Sequence, residues 1–341
     1  MAFKPPYPPS WVDRFQQWLH RLPIPVWLSI TAIYVLAVFG FHLALWINGS
    51  TPFGTPDGES FFNGIWAILG ISFITILDNI ATRAVDKFAV LVSHRKAELE
   101  NLRFQMTTIP ARFAFGLTLL ISLILLVATY FDPSFLGLSN PLSIALFLSI
   151  AIFSFSFAPL MLYHGFRQLM MVTRAYHLID EINLFRLQPV YAFAGLTMTS
   201  SLFWLLVLNL NFIGNQAETS GAQFLISFVL NAPYILLALV TFVVPLWGIH
   251  RRIQNKKETS LTENGLQIEK AHQSLYKSLN KGDYKKGNEM EKSLASLYRM
   301  REQIERVPTW PWTPGTFRNF LSAVFLPMGL WLVQRYLSGL F

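Results

Sequence analysis

Residues 250–312 read HRRIQNKKETSLTENGLQIEKAHQSLYKSLNKGDYKKGNEMEKSLASLYRMREQIERVPTWPW, and they form the one long polar stretch in this chain of 341 residues. Thirteen of the 27 Lys and Arg residues lie between Arg251 and Arg306. The chain as a whole is 53% hydrophobic and only 13% charged, whereas soluble domains carry about 25% charged residues. It has no cysteine, which excludes disulfides, thiolate metal sites and cysteine nucleophiles. This balance indicates a membrane protein with one polar insertion.

Seven apolar segments flank the polar stretch, six before it and one after it. Each is near the roughly 20 residues that cross a hydrocarbon core of about 30 Å, and none alternates with period two, which favours helices over a barrel. The segments are 23–47, 61–77, 113–131, 142–163, 189–213, 223–249 and 314–340. The sequence therefore predicts an all-α polytopic membrane protein, with six transmembrane helices in the region 23–249 and the seventh in 313–341.

Positive charge predicts the orientation of the chain. The segments 1–22, 78–112, 164–188 and 250–318 hold 26 of the 27 Lys and Arg residues, and the loops at the other ends of the helices hold none. Cytoplasmic loops of membrane proteins carry such an excess. We expect a plasma-membrane protein, in the cell inner membrane if the source is bacterial, with its N-terminus inside and its C-terminus outside. Anionic lipid headgroups, and no nucleic acid, are the expected partners of the basic face.

The first region, residues 1–22, precedes the membrane segments. Residues 1–9 are rich in proline and predicted to be extended, and Ser10 with Asp13 three positions later predicts the start of a short helix. The apolar residues of that helix share one face. A helix of this kind lies on the inner leaflet or packs against the bundle, and the sequence leaves both possibilities open.

Several helices are expected to continue into the cytoplasm. Residues 78–106 contain no Gly or Pro and repeat apolar residues at helical spacing, the fourth segment continues similarly over 164–183, and the sixth continues past Arg252. Residues 258–306 show two apolar stripes separated by Asn-Lys-Gly-Asp at 280–283, which is typical of a turn. The region 250–312 is therefore predicted to contain a cytoplasmic antiparallel helical hairpin.

A Pro/Trp segment, residues 307–315, joins this hairpin to the seventh helix. Its residues Pro308, Trp310, Pro311, Trp312 and Pro314 restrict the backbone and bring two indoles to the level of the headgroups. The simpler interpretation is a rigid re-entry into the membrane. The alternative is a coupling segment that passes movement of the hairpin to the seventh helix.

The seventh helix has polar residues near both ends and an apolar middle. Asn319 and Ser322 lie towards its first end, and Gln334 and Arg335 towards its second. A helix that lines a pore with a hydrophobic gate has this pattern, and so does a packed helix with capped ends. These four residues are the candidate pore-lining residues.

Groups that could carry catalytic or cofactor chemistry are scarce. The predicted membrane cores contain only His42 and Arg335 as ionisable residues, which argues against a proton-driven transporter. No phosphate-binding loop, zinc-protease motif or serine-hydrolase motif is present. We therefore expect no enzyme, and no catalytic or cofactor-binding residue.

Histidines could in principle hold haem or a metal ion. His164 and His250 both lie at the predicted inner boundary, but histidines spread over a chain of this length more often make ordinary polar contacts, so haem is disfavoured. His177 and Asp180, which could join His164 and Glu181 around a metal, are more typical of a solvated helix. No cofactor or metal is predicted.

The predicted plan resembles that of insect odorant and gustatory receptor channels in topology. Those proteins have seven helices, an inside N-terminus, helices that extend into the cytosol, and a final helix that lines the pore of a tetramer. The resemblance implies an oligomeric channel. The Thr-Tyr…Gln-Phe pattern of that family is absent from the seventh segment, which reads FRNFLSAVFLPMGLWLVQRYL over 317–337. No residue role is transferred.

Two functions from different classes follow. The first is a non-enzymatic scaffold or interaction protein that docks a cytoplasmic protein through residues 258–306. The second is an oligomeric ion channel or receptor-like pore lined by the seventh helix, which would require a homo-oligomer. A well-formed helical layer without catalytic groups favours the scaffold.

Overall fold

The structure, a computed structural model, describes residues 3–132, 136–214, 221–312, 315 and 317–322, without the side chains of 208–214 and 221–231. Within these residues the chain forms helices and no strand. In chain order the helices are α1 (Trp11–Arg21), α2 (Val26–Asn48), α3 (Gly58–Phe88), α4 (Lys96–Thr107), α5 (Ala111–Phe131), α6 (Pro141–His177), α7 (Ala194–Gly214), α8 (Gly221–Asn280) and α9 (Tyr284–Glu305).

Five of the described helices are long and apolar enough to cross a membrane. They are α2, α3, α5, α6 and the part of α8 over Ala232–Asn280, whereas the apolar part of α7, Ala194–Val207, is shorter. These helices correspond to five of the predicted segments, so an all-helical fold with several membrane-length helices is confirmed. The count of seven crossings stays a prediction, because most of the last segment lies outside the described residues.

Helix α3 is the centre of the bundle. It packs against α2, α6 and α7, and it buries one side almost completely. Gly70 allows the close approach of α6, since a Cβ atom at this position would lie 2.3 Å from the Cβ of Phe157. By contrast, α5 packs chiefly on α6 and α1, and only 11% of its most apolar stretch is buried. A helix that is apolar all round and so little covered is suited to lipid.

The expected continuous helix over 78–106 is wrong. Helix α3 ends at Phe88, residues 89–95 form turns, and α4 runs back along α3. The reversal buries Leu102 and Met106 against the core and pairs Arg103 with Asp86. Tertiary packing therefore determines the path of this segment, because a straight helix would carry Leu102 and Met106 away from the core.

The expected extension of the fourth segment over 164–183 is correct only in part, because α6 ends at His177. Ile179 and Ile182 are buried in the loop that follows, so their apolar spacing belongs to a packed turn. The helix of the fifth predicted segment starts later than predicted, at Ala194 instead of residue 189, after a series of turns over 187–193.

The polar stretch does not begin a new helix. Helix α8 continues without a break from the apolar part through Pro245 to Asn280, although the sequence places a domain boundary at 249–250. At 1.5 Å per residue, the 30 residues after His250 extend about 45 Å. Helix α9 then packs back along this half of α8. We call residues 250–280 of α8 together with α9 the arm.

Candidate functional site

The arm is held together by a narrow seam between α8 and α9. Ile268 on α8 and Leu294 and Ile304 on α9 are buried in it. Gly287 faces the side chain of Leu279, with 3.3 Å between the Leu279 Cδ2 and a Cβ built at the glycine. Asn264 is buried as well, and its amide donates a 3.2 Å hydrogen bond to the carbonyl of Leu297. A single buried amide of this kind fixes the register of paired helices.

Two basic side chains fix the base of the arm. Arg252 donates to the carbonyls of Tyr176 (2.5 Å) in the last turn of α6 and of Ile179 (2.7 Å) in the loop that follows it. Lys257 donates to the carbonyls of Glu305 (2.6 Å), the last residue of α9, and of Val307 (2.9 Å), two residues beyond it. The arm is thereby tied both to the bundle and to the segment that follows it.

The Pro/Trp segment lies against α8 through a column of stacked aromatic rings. The rings of His250, Trp310, Trp312, Phe242 and Phe320 follow one another with centroid separations of 3.9, 4.4, 4.5 and 4.2 Å and interplanar angles of 13° or less. Such a column fixes the segment on α8. It fits both a rigid re-entry and a coupling element.

The remaining residues of the predicted coupling segment lie around this column. Pro311 is buried and Pro308 is exposed, with its carbonyl 3.2 Å from the hydroxyl of Tyr191. Pro314 lies outside the described residues. The structure thus brings the described members of the segment together at the base of the arm.

The tip of the arm, residues 276–286, is basic and contains exposed aromatic side chains. Lys277, Lys281, Lys285 and Lys286 are all exposed, and none has an acidic partner among the described residues. The single acid, Asp283, accepts a hydrogen bond from the backbone N–H of Lys286 as the N-cap of α9. Tyr276, Leu279 and Tyr284 are 69%, 46% and 75% exposed. The turn itself uses Gly282, which has a φ of 71°.

A second feature lies inside the bundle, where α3 and α6 carry a polar cluster of Asp78, His164 and Gln168. The Nε2 of His164 is 2.7 Å from the Oδ1 of Asp78, and the imidazole is completely buried. The amide nitrogen of Gln168 donates to the same Oδ1 (2.9 Å) and to the carbonyl of Met106 (2.7 Å). Both amide hydrogens are used there, so we assign the hydrogen between His164 and Asp78 to Nε2.

The N-terminal segment, residues 3–22, covers one side of this cluster. The carboxylate of Asp13 accepts hydrogen bonds from the N–H and hydroxyl of Ser10 (2.6 and 2.7 Å) and from the buried N–H of Ile109 (3.2 Å). Arg167 donates to the carbonyl of Thr108 (2.6 Å) and to the hydroxyl of Tyr7. The capping box predicted from Ser10 and Asp13 is present, and α1 packs against the bundle with Val12 and Leu19 buried.

Burial changes the acidity of two groups in this segment. It raises the pKa of the Asp13 carboxyl above its ordinary value, although the hydrogen bonds from Ser10 and Ile109 act in the opposite direction. It likewise raises the pKa of Tyr7, against the effect of the nearby guanidinium of Arg167. The cost of burial therefore exceeds the stabilisation that the neighbours give to both anions.

The sequence predicts neither the polar cluster nor the contacts that Arg252 and Lys257 make at the base of the arm. One signal was present, since Asp78 directly follows the second predicted segment and His164 directly follows the fourth. Two polar residues at the same depth on different helices can meet if the helices are neighbours. That adjacency is a property of the fold, which the spacing of residues in one chain does not give.

The residues considered for cofactors have other contacts. His164 contacts Asp78, whereas His250 stacks on Trp310, so the two histidines are engaged separately. Asp180 lies 2.8 Å from Arg95 and 3.0 Å from His94. Across the described part of the chain, no three His, Asp or Glu side chains are grouped to hold a metal ion.

The pore hypothesis concerns the end of the chain. Asn319 and Ser322 are exposed, on either side of the buried Phe320. Gln334 and Arg335 lie outside the described residues. A pore lined by the seventh helix therefore stays a prediction.

Comparisons with known proteins give no relative from which a role could be transferred. No protein-family model matches this chain, and no curated protein and no solved structure matches it either.

Proposed function

We propose that this protein is a non-enzymatic membrane scaffold that docks a soluble cytoplasmic protein through its arm. In this proposal the chain crosses the membrane seven times with its N-terminus inside, and the arm is the predicted cytoplasmic hairpin. The positive-inside distribution of Lys and Arg supports the orientation. In this orientation the arm, the Pro/Trp segment and the N-terminal segment lie on the same side of the membrane.

The observation that carries the proposal is a long arm that is fixed by hydrogen bonds at its base and has exposed side chains along the rest of its length. Helix α9 packs chiefly on α8, and the exposed side chains of the arm include large apolar and aromatic ones. These are Leu266, Tyr276, Leu279, Tyr284, Tyr298 and Met300. Tyrosine and methionine are enriched in protein interfaces. A pair of helices fixed at its base can hold such a surface at a defined distance from the bilayer.

The charge of the tip indicates the chemistry of the partner. Four unpaired lysines within ten residues favour an acidic surface, which they would attract over about one Debye length, roughly 8 Å at physiological salt. The exposed tyrosines beside them supply the contact area that charge alone does not give. We therefore propose an acidic patch with an apolar centre on the partner protein.

Removal of the arm tests this proposal. Lys257 Nζ is 2.9 Å from the carbonyl oxygen of Val307, so a deletion of 258–306 joins two points that are already close in space. Proteins that co-purify with the intact chain in its native membrane should be lost from the deletion variant, while the variant still inserts and extracts as a monodisperse protein. The proposal fails if every associated protein still co-purifies.

A further inference from the structure

The loop between α2 and α3, residues 49–57, contains a well-defined turn with an aromatic side chain at its tip. The N–H and the hydroxyl of Thr55 both donate to the carbonyl of Pro52, at 3.1 and 2.6 Å. Gly54 has a φ of 82°, the value that the third residue of a type II turn requires. Phe53, the second residue of this turn, is therefore held at its tip, and it is 85% exposed.

Two side chains of α2 fix this loop to the end of the helix. The indole N–H of Trp46 donates to the carbonyl of Thr55 at 3.3 Å. The buried imidazole of His42 donates from Nδ1 to the carbonyl of Val38 (2.8 Å), and its Nε2 accepts from the backbone N–H of Asp57 (2.9 Å). The loop can leave the end of α2 only if these hydrogen bonds break.

Phe53 extends a row of aromatic rings along the exposed face of α2. The ring centroids of Phe53 and Trp46 are 4.9 Å apart, and those of Trp46 and Phe39, two helical turns earlier, are 6.2 Å apart. Phe39 is exposed, as are Val35 and Leu36 one turn before it, whereas other faces of α2 pack on α3 and α6. We call Phe39, Trp46 and Phe53 the aromatic row.

The length of α2 indicates where this row lies relative to a membrane. Val26–Asn48 is one of the helices that are long and apolar enough to cross a bilayer. At 1.5 Å per residue its 23 residues extend about 35 Å, whereas the hydrocarbon core is about 30 Å thick. The last turn, which contains Trp46, then lies at the interface between lipid and water, where tryptophan is enriched.

The absence of positive charge favours lipid over an acidic partner as the occupant of this surface. Residues 48–60 contain no Lys or Arg, so no cation there can pair with a phosphate or a carboxylate. The carboxylate of Asp57 is used within the chain, since it accepts from the N–H and the hydroxyl of Ser60, both at 2.7 Å. An uncharged aromatic surface that continues the exposed face of a membrane-length helix fits the glycerol and carbonyl layer of a bilayer.

We propose that Trp46 and Phe53 form a lateral membrane anchor that inserts into the glycerol and carbonyl layer of the bilayer beside the end of α2. The anchor fixes the depth at which α2 ends, and aromatic residues at this level limit the tilt of a helix. Because the row is uncharged, it recognises the boundary of the apolar layer and not the charge of the headgroups. The proposal requires that α2 spans the membrane, and it does not depend on the function of the arm.

Spin labels test this proposal on the full chain, which contains no cysteine. Phe53→Cys carries a label at the tip of the turn, Phe39→Cys carries one on the exposed face of α2, and Glu59→Cys carries one on an exposed position of α3. In phosphatidylcholine nanodiscs, oxygen, which concentrates in lipid, and a neutral water-soluble nickel chelate serve as collision partners. The ratio of oxygen to nickel collisions at Phe53 should exceed that at Glu59 severalfold and approach that at Phe39. Replacement of part of the lipid by phosphatidylglycerol should leave it unchanged.

Two glycine variants test whether the turn positions the label. A Cβ at Gly54 or at Gly58 would have no atom within 4 Å, but only Gly54 has a positive φ. Gly54→Ala should therefore disfavour the turn by about tenfold and lower the ratio at Phe53, whereas Gly58→Ala should preserve it. A ratio at Phe53 equal to that at Glu59 means that the turn lies in water. Slow collisions with both reagents mean that a second copy or another protein covers it. Either result, or equal effects of the two glycine variants, overturns the proposal.

Discussion

The guanidinium of Arg167 on α6 donates a 2.6 Å hydrogen bond to the carbonyl of Thr108, 59 residues away in the chain. It also donates to the hydroxyl of Tyr7, which itself donates to the same carbonyl at 3.1 Å. One side chain thus joins the N-terminal segment, the connection between α4 and α5, and α6. Arg167 is only 7% exposed, so these bonds are made away from bulk water.

Loss of this guanidinium should destabilise the bundle. Arg167→Met keeps most of the side-chain volume but removes the donors, and we expect the free energy of unfolding to fall by about 2 kcal/mol, the typical net value of a hydrogen bond from a charged group. Tyr7→Phe removes only one hydroxyl and should cost about 1 kcal/mol. Equilibrium unfolding in detergent measures both. Equal losses in the two variants would contradict the role given to Arg167.

Close packing of α3 on α6 makes a second prediction. Gly70→Ala puts a methyl group against the Cβ of Phe157, which cannot move without its backbone, so we expect a loss of about 1–3 kcal/mol from overpacking. Gly116→Ala on α5 is the matched control, because no atom lies within 4 Å of a Cβ at that position. The control should be neutral or gain up to about 1 kcal/mol from helix propensity. Thermal unfolding of the two variants side by side gives the difference.

Acidity provides a third prediction. Because burial raises the pKa of Asp13, the folded protein binds a proton there more tightly than the unfolded chain. The contribution of Asp13 to stability is then fully present below its ordinary pKa near 3.8 and is lost as the pH rises through the raised value. Asp13→Asn should flatten this part of the stability profile. An unfolding curve with the same slope against pH in both proteins would show that Asp13 does not titrate in this way.

The base of the arm gives a fourth prediction with a neighbouring control. Lys257→Met removes the donors to the carbonyls of Glu305 and Val307, so the end of α9 should open more often, by about 1 kcal/mol or roughly fivefold in amide hydrogen exchange over 302–307. Lys256 is exposed and makes no comparable bond to any residue that the structure describes, so Lys256→Met should leave exchange unchanged. Faster exchange in both variants would indicate a general charge effect instead.

The sequence predicts local features well and long-range adjacency poorly. The capping box at Ser10, the turn at Gly282 and the membrane-length helices follow from nearest neighbours and composition, and the structure contains them. The turn at 89–95 was not predicted, because apolar spacing over 78–106 is the same for a straight helix and for two helices folded together. Only the burial of Met106 against the core decides between them.

The polar cluster and the contacts of Arg252 and Lys257 at the base of the arm depend on long-range adjacency. Asp78 and His164 are 86 residues apart, and Arg252 reaches the carbonyl of Tyr176 across 76 residues. Each contact depends on which helices are neighbours. Residue spacing along one chain cannot supply that information, whereas the prolines of the Pro/Trp segment do predict a restricted backbone.

The most direct test of the scaffold is cross-linking at the tip in intact cells. A reagent that joins lysines to carboxylates should link Lys277, Lys281, Lys285 or Lys286 to acidic residues of one soluble protein. Charge reversal of these four lysines to Glu should abolish the links and the co-purification of that protein. Reversal of Lys256, Lys270, Lys292 and Arg299, which changes the net charge equally but spares the tip, should preserve both. The account is contradicted if the tip lysines give no link to another protein, or if the two sets of reversals act alike.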